Sequence, residues 1–308
     1  MLPPKFSRAM KSAALVALYL LLSTVLIFSI HVPHFWSAGL SGISNAASQS
    51  VIYLLNANTS ELAIFLIVAA LTTVFVTVEG KGADFCGVPL NRLALQRFLQ
   101  GCLLSLLGSA LLAVFEYFYG GFRIIGLVWP PVTTVAIIIL SVTWLLVVGI
   151  TEELWFRGYA LKKLEDSFGW WPAAAITSMA FAACHLHNQG ENFIEVGLLF
   201  LSGMILCSLR RMSGSLWLGI GAHTVADVAG IVLGSPGSDL SHSPNQIVYL
   251  SVQGSPLING GDNGVMFSLP GIAMQFLMLL VPIVFFTRQR LSGNIEAANA
   301  PVSGLHIK

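Results

Sequence analysis

The sequence predicts an all-α polytopic membrane protein with eight transmembrane helices, and three observations lead there. Of 308 residues, 56% are hydrophobic and 9% are charged, against about 25% charged in soluble domains. Eight windows approach the roughly 20 apolar residues that cross about 30 Å of hydrocarbon. With the N-terminus placed inside, 14 of the 15 Lys and Arg fall on the cytoplasmic side, the bias expected of short inner loops.

The windows run at 12–30, 62–78, 101–119, 132–159, 171–187, 193–209, 216–233 and 269–287. The first follows Lys5, Arg8 and Lys11. Its apolar run is too long for a secretory signal and no small-residue cleavage site follows, so it reads as an uncleaved anchor. Residues 31–60 form a long outer segment in which 42–55 is expected to make a short interfacial helix. Inner loops then carry Lys81, Arg92 and Arg97, next Arg157, Lys162 and Lys163, next Arg210 and Arg211. Arg288, Arg290 and Lys308 follow the last span, which leaves only Arg123 outside. Both termini are therefore expected in the cytoplasm.

Residues 235–266, rich in Gly, Ser, Pro and Asn and free of Lys and Arg, read as a flexible outer loop or lid. Residues 288–308 read as a disordered cytoplasmic tail. No internal repeat and no separately folding soluble domain is evident, so residues 1–308 form one membrane domain. A net charge of +1 provides no field for a nucleic-acid backbone, and nucleic acid is excluded as a partner. Cys86, Cys102, Cys184 and Cys207 lack metal-type spacing and do not suggest a disulfide framework.

A charge near the bilayer centre costs several kcal/mol, so ionisable residues within the spans mark function by default. Span three holds Glu116, and spans one, two and eight hold none centrally. The remainder concentrate between residues 150 and 230. Glu153 and Arg157 are four apart, acid first, and share a helix face as an ion pair. Glu152 then points about 100° away and is left as an unpaired carboxylate in a low-dielectric setting, suited to a general base. The same residues would also serve to cap an amphipathic inner helix end.

His223 and Asp227 repeat the four-residue spacing, so the carboxylate is expected to orient the imidazole. Phe181 and His185 do so again on span five. His187 reads as an outer-interface residue. At 1.5 Å per residue, Glu152 and His223 both lie about 15 Å from the inner boundary, whereas His185 lies about 7 Å further out. Spacing alone does not show how that offset closes.

Together these residues form a recognisable set. Glu152-Glu153-Leu154-Trp155-Phe156-Arg157, Phe181-Ala182-Ala183-Cys184-His185 and His223-Thr224-Val225-Ala226-Asp227 resemble the E-E-x-x-x-R, F-x-x-x-H and H-x-x-x-N/D motifs of the CAAX protease and bacteriocin-processing family, also called Abi. The resemblance covers a core at 132–234 on helices four, five and seven. It implies a glutamate-dependent intramembrane endopeptidase of a membrane-associated protein or peptide, set in a bacterial plasma membrane. Carried over, it makes Glu152 the base that activates water. His185 and His223 become oxyanion donors, Asp227 completes the site, and Glu153, Arg157 and Phe181 support it. Asp227 departs from the Asn of the eukaryotic CAAX endopeptidases and follows bacterial members.

The residues themselves agree with this chemistry, since peptide hydrolysis needs a base for water and a donor for the oxyanion. Other readings stay open. Glu152, His185 and His223 could ligate zinc, although H-E-x-x-H is absent and a ligating Glu152 would no longer be the base. No cofactor is therefore expected. A transporter or proton relay and a non-proteolytic, immunity-type membrane protein are the remaining classes.

Overall fold

The computed structural model describes residues 4–29, 45–120, 122–186, 193–233, 247–252, 254–261 and 264–299. Ten α-helices are present among these residues: α1 (Pro4–Ser29), α2 (Ala46–Val78), α3 (Arg92–Phe115), α4 (Pro131–Glu152), α5 (Leu161–Phe168), α6 (Trp170–His185), α7 (Phe193–Ser213), α8 (Trp217–Leu233), α9 (Pro256–Asn259) and α10 (Leu269–Asn299). The architecture is that of an all-α polytopic membrane protein. Leu62 and Leu66 on α2, Leu99, Leu103 and Leu107 on α3, and Leu277 and Leu280 on α10 are all exposed, an outer surface suited to lipid rather than water.

Six helical stretches among the described residues are long and apolar enough to cross a membrane: Phe6–Ser29, Ala46–Val78, Arg92–Tyr119, Pro131–Phe168, Val196–Ser213 and Leu269–Arg288. The spans expected at 171–187 and 216–233 form α6 and α8, of 16 and 17 residues. His187 lies outside the described residues.

The second span differs from expectation. Instead of an interfacial helix at 42–55 and a separate span at 62–78, residues 46–78 form one helix of 33 residues. No Gly or Pro interrupts this stretch, and Asn45 caps it by accepting from the Ala47 amide. The polar step in its middle is absorbed by hydrogen bonding. Asn58 Nδ2 donates to the Leu54 carbonyl and, across to α4, to the Leu140 carbonyl at 3.0 Å, while the Thr59 hydroxyl donates to Leu55. The longer helix puts Glu61 near its own midpoint, so the second span does hold a central acid.

The fourth span is continuous with α5 through a π-helical segment, Glu153–Ala160, with non-helical backbone at Gly158. Such wide turns occur often at functional sites. Nearby, Glu79 accepts from the Tyr159 hydroxyl at 2.8 Å and pairs with Lys163. The Tyr19 and Thr72 hydroxyls bond at 2.8 Å, which ties α1 and α2 to this end of the fold.

Two stretches read from sequence as structureless contain regular elements. Residues 247–252 of the outer loop supply β2 (Val248–Val252), which pairs antiparallel with β1 (Phe122–Leu127), Phe122 opposite Val252 and Leu127 opposite Val248. A two-stranded ribbon thus accompanies the helices. Phe122 is buried with Leu112 and Val265, so an aromatic and β-branched run gains from packing what a two-stranded ribbon lacks alone. Helix α10 also continues past 287 to Asn299, because residues 288–299 contain no proline and include the helix formers Leu291, Ala297 and Ala298.

Helix α8 packs along α3 and against α4, α2 lies along α4, and α6 lies along α7. The approach of α3 to α8 is backbone to backbone. A Cβ on Gly221 would lie 2.1 Å from the Phe98 carbonyl oxygen, and one on Gly101 would lie 2.1 Å from that of Leu218. Small residues allow this closeness within a membrane bundle, and it brings His223 up to α4.

Candidate active site

The site begins at the junction of α4 with the π-helical segment. Glu153 and Arg157 are fully buried, with Arg157 Nη1 3.2 Å from Glu153 Oε1, as the four-residue spacing predicts. The same carboxylate oxygen lies 3.2 Å from Nδ1 of His223. A Cβ on Gly219 would meet Glu153 Oε2 at 2.9 Å, so the absence of a side chain at that point of α8 makes room for the carboxylate. Glu153 thus binds the Arg157 cation and orients the His223 ring.

This corrects one expectation. The orienting acid behind His223 is Glu153, not Asp227. The four-residue spacing does bring Asp227 near, but its Oδ2 lies 3.6 Å from Nε2 of His223, on the ring edge that also faces Glu152 Oε2 at 3.5 Å. His223 therefore has one buried carboxylate at Nδ1 and two partly exposed ones at Nε2. Helical spacing within α8 could reveal the Asp227 contact, but a contact that crosses to α4 leaves no such trace.

His185 ends α6. A carbonyl only accepts, so Nδ1 must carry the proton donated to the Phe181 carbonyl at 2.9 Å. In the neutral ring, Nε2 is then the lone-pair nitrogen. The Phe181 ring lies 4.7 Å from that of His185 and 6.0 Å from that of His223. The Arg157 guanidinium stands 4.2 Å from the Phe181 centroid, a favourable cation–π contact. The Phe181 ring is thus in reach of both imidazoles.

Glu152, Phe181, His185, His223 and Asp227 line one cavity of about 560 Å³. Its remaining wall is largely apolar and comes from α3, α7, α8 and α10, including Leu104, Leu198, Leu206, Met274 and Met278. Concave, mostly apolar space with a few convergent polar groups is the usual form of a binding site. Among the described residues, no group of three or more His, Cys, Asp and Glu side chains is arranged to hold a metal ion.

Residues 131–229 match the type II CAAX prenyl endopeptidase Rce1-like family. The resemblance read from the three motifs is borne out over this stretch, which contains Glu152, Glu153, Arg157, Phe181, His185, His223 and Asp227. An Escherichia coli protein described as an uncharacterized 24.3 kDa protein is 33% identical over 100 residues. That alignment covers 32% of this chain and 45% of the Escherichia coli protein, so the chain spans less than half the length of this relative. No solved structure matches.

Two acids outside the motifs stand out. Glu61, on α2, lies beside the Thr151 hydroxyl and within electrostatic reach of Glu152. A window begun at residue 62 misses it, and extending the helix to its Asn45 cap would have found it. Glu116, singled out in the third span, is fully buried and accepts from the Ser268 hydroxyl at 3.5 Å. It lies in the π-helical turn Glu116–Gly120 and is not part of the cavity wall.

Proposed function

We propose that this chain is an integral-membrane endopeptidase that hydrolyses a peptide bond of a membrane-associated protein or peptide, with Glu152 as the base that activates water. The observation that carries the reading is the His223 ring. Carboxylates flank both of its nitrogens, and it shares one cavity with Glu152 and His185 inside the segment that matches a peptidase family. Glu152 takes a proton from water, and the oxygen attacks the scissile carbonyl. His223 acts as the doubly protonated ring: its Nδ1–H donates to the Glu153 carboxylate, which only accepts, and its Nε2–H donates to the resulting oxyanion. Collapse expels the amine, which receives the proton held by Glu152.

His185 plays a different part in this scheme. With Nδ1–H committed to Phe181, its Nε2 accepts, which suits it to hold the attacking water beside Glu152. Asp227 faces the same edge of His223 as Glu152 does. Arg157 balances the buried charge of Glu153. With Glu152 serving as the base and the histidines as hydrogen-bonding groups, the scheme calls on no metal cofactor. The proposed setting is a bacterial plasma membrane crossed eight times, with both termini cytoplasmic and the core on helices four, five and seven of that count.

The test is a comparison of protein termini in membranes of cells that contain the native chain or Glu152→Gln. Termini produced by cleavage should appear with the native chain and be absent with Glu152→Gln, at equal abundance of the two proteins in the membrane. Identical termini in both would refute Glu152 as the base.

A further inference from the structure

The cavity has a second polar point away from the acid and histidine cluster. On α10, Gln275 is 8% exposed and lines the cavity. On α7, Ser202 also lines it, and its hydroxyl donates to Gln275 Oε1 at 3.4 Å. In this arrangement the carboxamide oxygen faces the Ser202 hydroxyl. The oxygen is engaged, and the NH2 group has no partner among the described residues. Around it the wall is apolar and adaptable, with Met274 and Met278 on the same helix and Leu198, Leu199 and Ile205 on α7.

An amide donor that faces a mostly apolar cavity has no acceptor there to engage it. A peptide carbonyl brought into hydrocarbon has the complementary deficit, an acceptor without a donor. Each satisfies the other. We propose that Gln275, oriented by Ser202, is a positioning residue that donates to a main-chain carbonyl of an extended apolar peptide, and so sets where that peptide lies along the cavity. The inference rests on the reading of the cavity as the place where a membrane peptide is cut. Both α10 and Gln275 lie outside the segment that matches the peptidase family.

The experiment uses the full chain in lipid nanodiscs and a dye-labelled Leu/Ala peptide that bears one benzophenone. A second probe has the same sequence with alternate amides replaced by esters, whose carbonyls are weaker acceptors. Half-saturation of photo-crosslinking reports binding. In the native chain the ester probe should bind more weakly than the amide probe. Gln275→Met should raise half-saturation for the amide probe about tenfold and abolish the difference between the two. Ser202→Ala keeps the carboxamide but frees its orientation, and should give a smaller rise in the same direction. No crosslinking to the native chain, an unchanged half-saturation in Gln275→Met, or equal weakening of both probes would overturn the proposal. Glu152→Gln should bind the amide probe as the native chain does and leave it uncut. Continued cutting by Glu152→Gln, with the Gln275 dependence intact, would overturn the base assignment while supporting the role of Gln275.

Discussion

Substituting Gly221→Ala tests whether the meeting of α3 and α8 positions His223. The added methyl would lie 2.1 Å from the Phe98 carbonyl oxygen and 3.0 Å from the Cys102 amide nitrogen. An ordinary carbon–oxygen contact is about 3.3 Å, so the helices must separate by about 1 Å. Both obstructing atoms belong to a helical backbone, which cannot swing aside as a side chain would. Overpacking of this kind costs roughly 1–3 kcal/mol.

The displacement also reaches the chemistry. His223 is two residues along α8, with Glu153 at 3.2 Å and Glu152 at 3.5 Å. A shift of about 1 Å takes both beyond hydrogen-bond range, and misplacement on that scale costs about 100-fold in rate. Thermal unfolding of the purified protein in detergent, with cleavage of whatever substrate the comparison of termini yields, measures the two effects. Gly197→Ala is the control, because a Cβ there meets nothing within 4 Å, and stability should change by under about 1 kcal/mol. If Gly221→Ala matches Gly197→Ala in both stability and rate, the close approach does not position His223.

Arg157→Ala should cost on the order of 3 kcal/mol by stranding the fully buried Glu153 carboxylate, whereas Glu152→Gln should leave stability near that of the native chain. Chemical denaturation of both variants decides this, and equal losses would contradict the division of labour between the two glutamates. Reporter fusions after Leu233 and at the C-terminus should report opposite sides of the membrane, and the same side for both would overturn the eight-span topology. Metal analysis of purified, active protein should find no stoichiometric zinc. Zinc lost together with activity on chelation would favour a metallopeptidase instead.

The sequence exposes whatever repeats along a single helix. Glu153 with Arg157, Phe181 with His185, and His223 with Asp227 are each four residues apart, and each pair is in contact. Contacts between helices leave no periodicity to read. The Glu153–His223 bond, the Arg157 guanidinium over Phe181, and Glu61 beside Thr151 all depend on how α2, α4, α6 and α8 are docked. Helix limits failed for a related reason. A hydropathy window ends at Glu61 because all but Ala57 of the residues from Asn56 to Glu61 are polar, yet Asn58 satisfies itself against Leu140 and the helix runs through. The pairing of β1 with β2 joins residues more than 120 positions apart, a separation at which neither strand signals the other.

The wall of the cavity is written in separate stretches of the chain. Glu152, His185, His223 and Asp227 lie within 131–229, whereas Leu104 to Leu112 on α3 and Met266 to Met278 on and beside α10 lie outside it. Apart from the share of the wall on α7 and α8 that lies within 131–229, the surfaces that would receive the residues flanking the bond are therefore free to change independently of the groups proposed to break it. A lineage could retain the three motifs unaltered and redirect them to a new client by exchanging a few apolar side chains on α3 and α10. Two chains equally similar across 131–229 need share no client at all, and similarity along α3 and α10 becomes the better guide to which of them do.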